Sequence, residues 1–374
     1  MRGTTMELIC HKRIVPDLLL LFLCISSSLA QAYVEKQRAW NNTVSAIYVF
    51  GDSTVDSGNN NYINTAFRSD FSPYGRDFVN QMPTGRFTNG RLTTDFIASY
   101  VGVKDYIPPY LDPTLSIEEL MTGVSFASAG SGFDPLTPTL SNVIDIPKQL
   151  EYFKEYTKRL ELAIGKQRVD KHIKKAVFII SAGTNDFVVN YFALPIRRKT
   201  YTTVSSYQQF LLQNAKNFIQ DLWEEGARNI IVSGLPPMGC LPVVITLNSD
   251  NAILQRGCIE KYSTVAREFN LMLQNEVNLM HFGLANLGAK IYLIDIYRPL
   301  TDMIQVPSKH GFDEVESGCC GSGYMEAGFL CNAKSYVCPD ASKYVFWDSI
   351  HPTEKTYNIV FRDILNIIDA IIRD

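Results

Sequence analysis

Four polar segments of the sequence contain side chains that could together activate a serine for attack on a carbonyl carbon. The first segment is Gly51-Asp52-Ser53, and the last contains Asp348 and, three residues later, His351. Serine is a weak nucleophile at neutral pH and needs a base such as imidazole to accept its proton. The imidazole in turn needs a carboxylate that fixes its tautomer. The residue types and their spacing therefore predict Ser53 as nucleophile, His351 as base and Asp348 as the acid that orients it.

The two middle segments contain groups that could stabilise the negative charge formed in such an attack. They are the small-residue stretch 123–132 and the stretch Gly183-Thr184-Asn185-Asp186, which follows an apolar run. A developing oxyanion needs convergent N–H donors. We therefore predict an oxyanion hole formed by the backbone N–H groups of Ser53 and Gly130 and by the side-chain amide of Asn185.

Each of these segments also has a simpler structural interpretation. Glycine, aspartate and serine favour turns, so Gly51-Asp52-Ser53 taken alone is typical of a tight turn. A histidine ahead of a helix is by default a surface residue, and only the combination of segments favours catalysis. We predict that Asp52 and Asp186 stabilise their own turns. The histidines interpreted as structural are His172, His281 and His310.

Predicted strands and helices position these segments. Apolar runs rich in β-branched and aromatic residues are typical of strands buried on both faces of a parallel sheet. The predicted strands are 46–50, 123–126, 176–180, 229–234 and 290–295, and the longer predicted helices are 91–101, 146–164, 207–226, 258–287 and the segment after Pro352. Strands alternating with helices indicate an α/β fold with a parallel sheet covered on both faces. Polar turns after such strands lie at the carboxyl edge of the sheet, where ligands bind.

The N-terminal segment 1–32 is predicted to be a signal peptide that is removed. Lys12-Arg13 precede the apolar run 18–25, and Ala30-Gln31-Ala32 has the small-x-small form of a cleavage site. The apolar run is shorter than the roughly 20 residues of a membrane span, so a retained signal anchor is the less favoured alternative. We expect a secreted, extracellular protein of one domain, residues 33–374, without a transmembrane segment.

Six cysteines follow the predicted cleavage site, and an even number in a secreted chain favours three disulfides. They are Cys240, Cys258, Cys319, Cys320, Cys331 and Cys338. Proximity in sequence favours pairing of Cys240 with Cys258, which leaves the other four to staple the segment 319–338. A zinc site in that segment is the alternative, although its spacing matches no zinc-finger pattern. The sequon Asn41-Asn42-Thr43 predicts an N-glycan on Asn41.

Composition and motifs argue against several other classes of protein. The formal net charge is −3 and the isoelectric point is near 6.0. These values do not indicate the excess of basic residues that is typical of proteins that bind nucleic acid or anionic membranes. The chain has no H-E-x-x-H, no P-loop and no complete dinucleotide fingerprint, so we predict no metal and no cofactor. It also lacks the G-x-S-x-G elbow of ordinary α/β-hydrolases.

Taken together, the four segments resemble the four blocks of the GDSL esterase/lipase family, also called SGNH hydrolases. The stretch Phe50-Gly51-Asp52-Ser53-x-x-Asp56-x-Gly58-Asn59-Asn60 is similar to the secreted plant branch, and the resemblance extends from about residue 46 to 360. It implies a three-layer α/β/α fold with a central, mostly parallel sheet of flavodoxin-like type. It further implies Ser53 as nucleophile, His351 as base, Asp348 as its partner, and Gly130 and Asn185 in the oxyanion hole.

The chain departs from the family pattern in its second block. Plant members often have Asn-Phe-Ala-Ser-Gly-Gly where this chain has Ser125-Phe126-Ala127-Ser128-Ala129-Gly130. The Gly130 donor is retained. We expect the loop to lose the support of that asparagine and to gain a methyl group at Ala129.

These observations lead to the hypothesis of a secreted serine esterase or lipase that hydrolyses carboxylic esters of small molecules or lipids through an acyl-enzyme. One alternative is an acyltransferase that uses the same triad on a lipid or a cutin-like polymer. Another is a non-catalytic binding protein of the cell wall or surface. We expect loops 62–90 and 188–203 to determine the substrate. Aromatic residues in them that could line an acyl groove, or simply pack in exposed loops, are Phe67, Phe71, Tyr74, Tyr191 and Phe192.

Overall fold

The computed structural model of the protein describes residues 44–373. The predicted signal peptide and the sequon at Asn41 lie outside the described residues. Within the described part, no helix is long and apolar enough to cross a membrane.

The main sheet has four parallel strands in the order β1-β2-β3-β4. Its register places Gly51 opposite Ser181 and Ser233 opposite Ile294, so the strands end together at one edge. A second sheet pairs β5 with β6. The strands are β1 (Ile47–Gly51), β2 (Val177–Ser181), β3 (Asn229–Ser233), β4 (Lys290–Ile294), β5 (Glu314–Gly318) and β6 (Tyr344–Phe346).

Helices connect the strands and flank the sheet. The α-helices within residues 44–373 are α1 (Thr93–Tyr100), α2 (Ile117–Met121), α3 (Leu136–Ser141), α4 (Ile146–Ile164), α5 (Lys166–Lys174), α6 (Ile196–Thr200), α7 (Val204–Glu224), α8 (Pro242–Asn248), α9 (Glu260–Leu284), α10 (Tyr297–Gln305), α11 (Pro307–His310), α12 (Glu354–Asp363) and α13 (Leu365–Arg373). A π-helix spans Asp186–Ala193. Short 3₁₀ helices occupy Asn59–Tyr62, Val79–Gln81, Met238–Cys240, Ala285–Leu287, Gly328–Leu330 and Ala341–Lys343.

Successive side chains of each strand point to opposite faces of the main sheet. Because the strands are apolar on both faces, helices cover both of them. The aromatic cluster on one face joins strand residues to α4 and α7, and its members include Tyr48, Phe50, Phe178, Phe153 and Phe218. The aliphatic cluster on the other face joins strand residues to α1, α12 and α13, and its members include Ile47, Val49, Ile179, Ile97, Phe361 and Ile368. The predicted three-layer α/β/α architecture is confirmed.

Two segments differ from the sequence-based expectation. The short strand predicted at 123–126 is not a regular strand; it lies beside β1, and Ser125 forms isolated bridges with Val49 and with Pro109. The loop predicted at 188–203 is wrong, because the π-helix and α6 occupy most of it. The buried amide of Asn190 donates to Asp134 and Thr137 at 2.9 and 3.0 Å. These partners lie more than fifty residues away, so no local pattern indicates this helix.

Candidate active site

Ser53 lies just beyond the end of β1, where the chain leaves the sheet through a turn that only glycine permits. Gly51 has φ +134°, and a Cβ there would lie 1.8 Å from the carbonyl oxygen of Ser181. The buried amide of Gln149 accepts from the Gly51 N–H at 2.8 Å and donates to its carbonyl at 2.9 Å. This pair of bonds fixes the turn, and it therefore fixes the direction in which Ser53 leaves the sheet.

The structure brings Ser53, His351 and Asp348 into one hydrogen-bonded chain. Ser53 Oγ lies 2.8 Å from His351 Nε2, and His351 Nδ1 lies 2.9 and 2.8 Å from the two carboxylate oxygens of Asp348. Asp348 Oδ1 also accepts the backbone N–H groups of Ile350 and His351 at 2.8 and 2.7 Å. With Nδ1–H donated to the carboxylate, Nε2 is free to accept the serine proton. All three side chains are buried, and Ser53 is 7% exposed.

Tyr74 completes the environment of Asp348, whereas the sequence indicated only a residue of an acyl groove or of an exposed loop. Its hydroxyl donates to Asp348 Oδ2 at 2.7 Å and accepts the backbone N–H of Gly328 at 2.8 Å. Burial, followed by the nearby Asp348 carboxylate, raises the pKa of Tyr74 well above its ordinary value. The hydroxyl therefore remains a donor at physiological pH. The contact joins positions 274 residues apart, and no sequence signal indicates it.

The three predicted oxyanion donors lie around one cavity with His351. Ser53, Gly130, Asn185 and His351 all line it. In the described part of the chain, neither the Ser53 nor the Gly130 backbone N–H donates to a protein acceptor. The Asn185 amide donates one hydrogen to the carbonyl of Ser131 at 2.9 Å, which orients the side chain and leaves its second hydrogen for another acceptor.

Comparison with known proteins assigns this chain to a family. A family model described as GDSL-like Lipase/Acylhydrolase matches residues 47–364. The chain belongs to this family. It is 62% identical over 347 residues to GDSL esterase/lipase At5g45960 of Arabidopsis thaliana, covering 93% of this chain and 92% of that protein. It is 44% identical over 329 residues to GDSL esterase/lipase At2g31540 of the same plant, covering 88% and 89%. The protein is a carboxylic ester hydrolase.

The GDSL motif continues into residues that support the oxyanion segment. Asp56 Oδ1 accepts the backbone N–H groups of Gly58 and Asn59 at 2.8 Å, and Asp56 Oδ2 accepts the N–H of Ala129 at 2.9 Å. The Asn60 amide donates to the carbonyl of Ala129 at 2.9 Å. Asp56 therefore binds the N–H of Ala129, the residue before Gly130, and Asn60 binds its carbonyl. Both residues belong to the sequence motif, but their role in supporting the oxyanion segment is visible only in the structure.

In this GDSL hydrolase, contacts from other residues hold the backbone of the oxyanion loop at Ser125. The Asn59 amide donates to the carbonyls of Ser125 and Ala127, each at 2.8 Å. Ser125 contributes a further bond from its hydroxyl to the carbonyl of Val55 at 3.0 Å. Asn59 therefore binds the loop backbone at two carbonyls, and the loss of the family asparagine's own support stays a prediction.

Asp52 stabilises its own turn, as predicted, whereas the same prediction for Asp186 is wrong, because Asp186 begins the π-helix and its carboxylate binds a different segment. Asp52 Oδ1 accepts the backbone N–H and the hydroxyl of Thr54 at 3.0 and 2.8 Å. Asp186 accepts the N–H groups of Phe133 and Asp134 at 2.8 and 3.2 Å. Burial raises the pKa of Asp52 to about 6 and that of Asp186 to about 7, although these hydrogen bonds act in the opposite direction.

Three disulfides are present in the described residues of the GDSL hydrolase. They join Cys240 to Cys258, Cys319 to Cys338, and Cys320 to Cys331. The four cysteines of segment 319–338 are thus paired with one another, so the zinc alternative is wrong.

The disulfide-linked segment lies against the loop that carries Asp348 and His351. Cys320 N–H donates to the carbonyl of Trp347 at 2.9 Å, and Ser349 N–H donates to the carbonyl of Glu326 at 2.8 Å. The segment therefore binds the backbone of Trp347 and of Ser349, the residues before and after Asp348.

Proposed function

We propose that the ester hydrolysis of this family proceeds here through an acyl-enzyme on Ser53. His351 Nε2 takes the hydroxyl proton as Ser53 Oγ bonds to the ester carbonyl carbon, and the carbonyl π electrons move to oxygen. The tetrahedral intermediate then collapses, the bond to the alcohol oxygen breaks, and His351 gives its proton to that oxygen. The observation that supports this assignment best is the 2.8 Å separation between Ser53 Oγ and His351 Nε2.

The second half-reaction uses the same groups with water as nucleophile. His351 accepts a proton from water as the water oxygen attacks the acyl carbon, and Ser53 leaves with that proton as the free carboxylic acid forms. Asp348 keeps the ring oriented and stabilises the imidazolium in both halves. The backbone N–H groups of Ser53 and Gly130 and the Asn185 amide are proposed to donate to the oxyanion. No metal or cofactor takes part in these steps.

We further propose that residues 1–32 are a signal peptide and that the mature protein, 33–374, is a secreted, extracellular single domain. Three disulfides within the described residues support this proposal, because such bonds persist mainly in oxidising compartments. The proposed substrates are esters of small molecules or lipids.

Covalent labelling by a fluorophosphonate probe tests the catalytic proposal directly. The protein should be labelled and should hydrolyse 4-nitrophenyl esters, and Ser53→Ala should lose both properties while keeping its circular dichroism spectrum. Ser57→Ala is the matched control, because Ser57 is another buried serine of the same motif and its hydroxyl has no hydrogen-bond partner in the described residues. Retained hydrolysis by folded Ser53→Ala would refute the proposal. Absence of labelling in the folded, disulfide-bonded protein would favour a binding protein instead.

A further inference from the structure

A cavity of about 80 Å³ begins at Ser53 and extends along the carboxyl ends of the main sheet. Its wall includes Ile179 of β2, Ser233 of β3 and Ile294 of β4. One water molecule needs roughly 10–15 Å³ by this measure, so the cavity is several times larger than a water site. It is therefore large enough to hold part of a substrate.

The cavity wall is mainly apolar, and helix residues from both core clusters line it. Ile97 of α1, Leu300 of α10 and Val360 of α12 line it, and all three are buried. Among the described residues that line it, Asp52 is the only carboxylate, and no lysine, arginine or histidine is present. This lining favours an aliphatic group over a charged or heavily hydroxylated one.

A second cavity also begins at Ser53 and has different neighbours. His351, Gly130 and Phe87 line it, and none of them lines the first cavity. Ser53 and Asn185 line both cavities. Ile350 and Pro352, the chain neighbours of His351, line the first cavity, but His351 itself lines only the second. The reacting carbon bonded to Ser53 would thus have one cavity that His351 lines and one that it does not.

The proton path decides which half of the ester occupies which cavity. His351 Nε2 must reach the oxygen of the departing alcohol, so the alcohol lies on the histidine side, in the second cavity. The acyl chain then occupies the first cavity, which His351 does not line. Neighbouring strands are about 4.8 Å apart, so the distance from β1 to β4 is roughly 14 Å, which suits an extended chain of many methylene groups.

We propose that the cavity along the strand ends is the acyl-binding site and that it selects esters of longer straight-chain aliphatic acids over acetate esters. The inference rests on the proposed role of Ser53. Each methylene that enters an apolar cavity should raise kcat/KM about fourfold until the cavity is filled.

A chain-length series with two opposite variants tests this assignment. We would measure kcat/KM for 4-nitrophenyl acetate, butyrate, octanoate and dodecanoate. Val360→Phe places a ring in the cavity and should lower the octanoate-to-acetate ratio about tenfold or more. Ile97→Ala enlarges the cavity and should raise the dodecanoate-to-octanoate ratio severalfold. Arg362→Phe adds the same ring at an exposed position of α12 and should leave both ratios unchanged.

The outcomes separate the acyl site from the catalytic proposal. Unchanged ratios in folded, fluorophosphonate-labelled Val360→Phe and Ile97→Ala would overturn the acyl site and leave the Ser53 mechanism intact, as would a wild-type preference for acetate. Lack of both labelling and hydrolysis in the wild-type protein would refute the mechanism itself, and the acyl site with it. If Val360→Phe does not fold, the ratio of Ile97→Ala decides alone.

Discussion

The hydroxyl of Tyr74 donates a 2.7 Å hydrogen bond to Asp348 Oδ2, the carboxylate that orients His351. Tyr74 belongs to the long excursion between β1 and α1, and its ring packs against Phe87 and Trp347. Asp348 therefore receives donors on both oxygens, one set from its own loop and one from Tyr74. We interpret Tyr74 as a positioning residue that acts on the reaction through Asp348.

Tyr74→Phe removes only the hydroxyl and should reduce kcat while leaving KM nearly unchanged. A hydrogen bond to a charged group contributes about 1.5–3 kcal/mol, which corresponds to a loss of roughly ten- to a hundredfold in kcat. Steady-state kinetics with a 4-nitrophenyl ester measures the effect. Tyr336→Phe is the control, since that tyrosine is 68% exposed. A purely structural role for Tyr74 would instead lower the unfolding midpoint with no change in kcat of the folded fraction.

Asn185→Ala should lower kcat by roughly a hundred- to a thousandfold, because it removes one donor to the oxyanion. The substrate binds before the charge develops, so KM should change little. The measurement is kcat and KM beside those of Asn217→Ala, an exposed amide on α7. A wild-type kcat in Asn185→Ala would remove this residue from the oxyanion hole.

Cys320→Ser combined with Cys331→Ser should reduce both stability and activity. A disulfide that closes a loop of about this size stabilises by roughly 3 kcal/mol. The Cys320 N–H also donates to the carbonyl of Trp347, next to Asp348, so we expect kcat to fall even well below the unfolding midpoint. The thermal unfolding midpoint and kcat at 25 °C would be compared between this double variant and the wild type.

The Cys240→Ser and Cys258→Ser double variant is the comparison for that experiment. It removes a disulfide whose cysteines are 18 positions apart in the sequence, against 11 for the other pair. A similar loss of stability is therefore expected. The Cys240 N–H donates to Pro237 rather than to the Asp348 loop, so kcat should be less affected. Equal losses of kcat in the two double variants would contradict a specific role for the Cys320–Cys331 bond.

Asp186→Asn should become more stable relative to the wild type as the pH rises from 4 to 7. Burial raises the pKa of Asp186 to about 7 in the native state, against about 3.9 in the unfolded chain. Between these values the native carboxyl is protonated and the unfolded one is not. The wild type therefore loses up to about 1.4 kcal/mol of stability per pH unit from this group, and asparagine removes that loss.

Urea unfolding of both proteins at pH 5 and pH 8 measures this difference. Asp340→Asn provides a control of opposite sign, because the Ser342 hydroxyl and N–H lower the native pKa of Asp340. The stability of that variant relative to the wild type should fall as the pH rises, by a small amount because Asp340 is exposed. Parallel wild-type and Asp186→Asn curves would show that Asp186 titrates at an ordinary pKa.

Local patterns predicted the main elements because the information lies in consecutive residues. The runs that became β1 and β2 are apolar throughout, which only a sheet covered on both faces accommodates. The spacing of apolar residues along the sequence gives α4 and α7 an apolar side each. The prediction failed for 188–203, where the buried Asn190 side chain bonds to Asp134 and Thr137 across more than fifty residues.

The sequence by itself determined the chemical inventory of this protein: a serine, a histidine and a carboxylate in polar turns at the ends of predicted elements, in the order of the GDSL family. The tertiary structure alone decided that Ser53 and His351 meet at 2.8 Å, that Tyr74 bonds to Asp348, and that Asn59 binds the carbonyls of Ser125 and Ala127 in the oxyanion loop. The physical reason is distance along the chain. Residue types and short spacings are local properties, whereas a hydrogen bond between positions hundreds of residues apart exists only once packing has fixed both backbones.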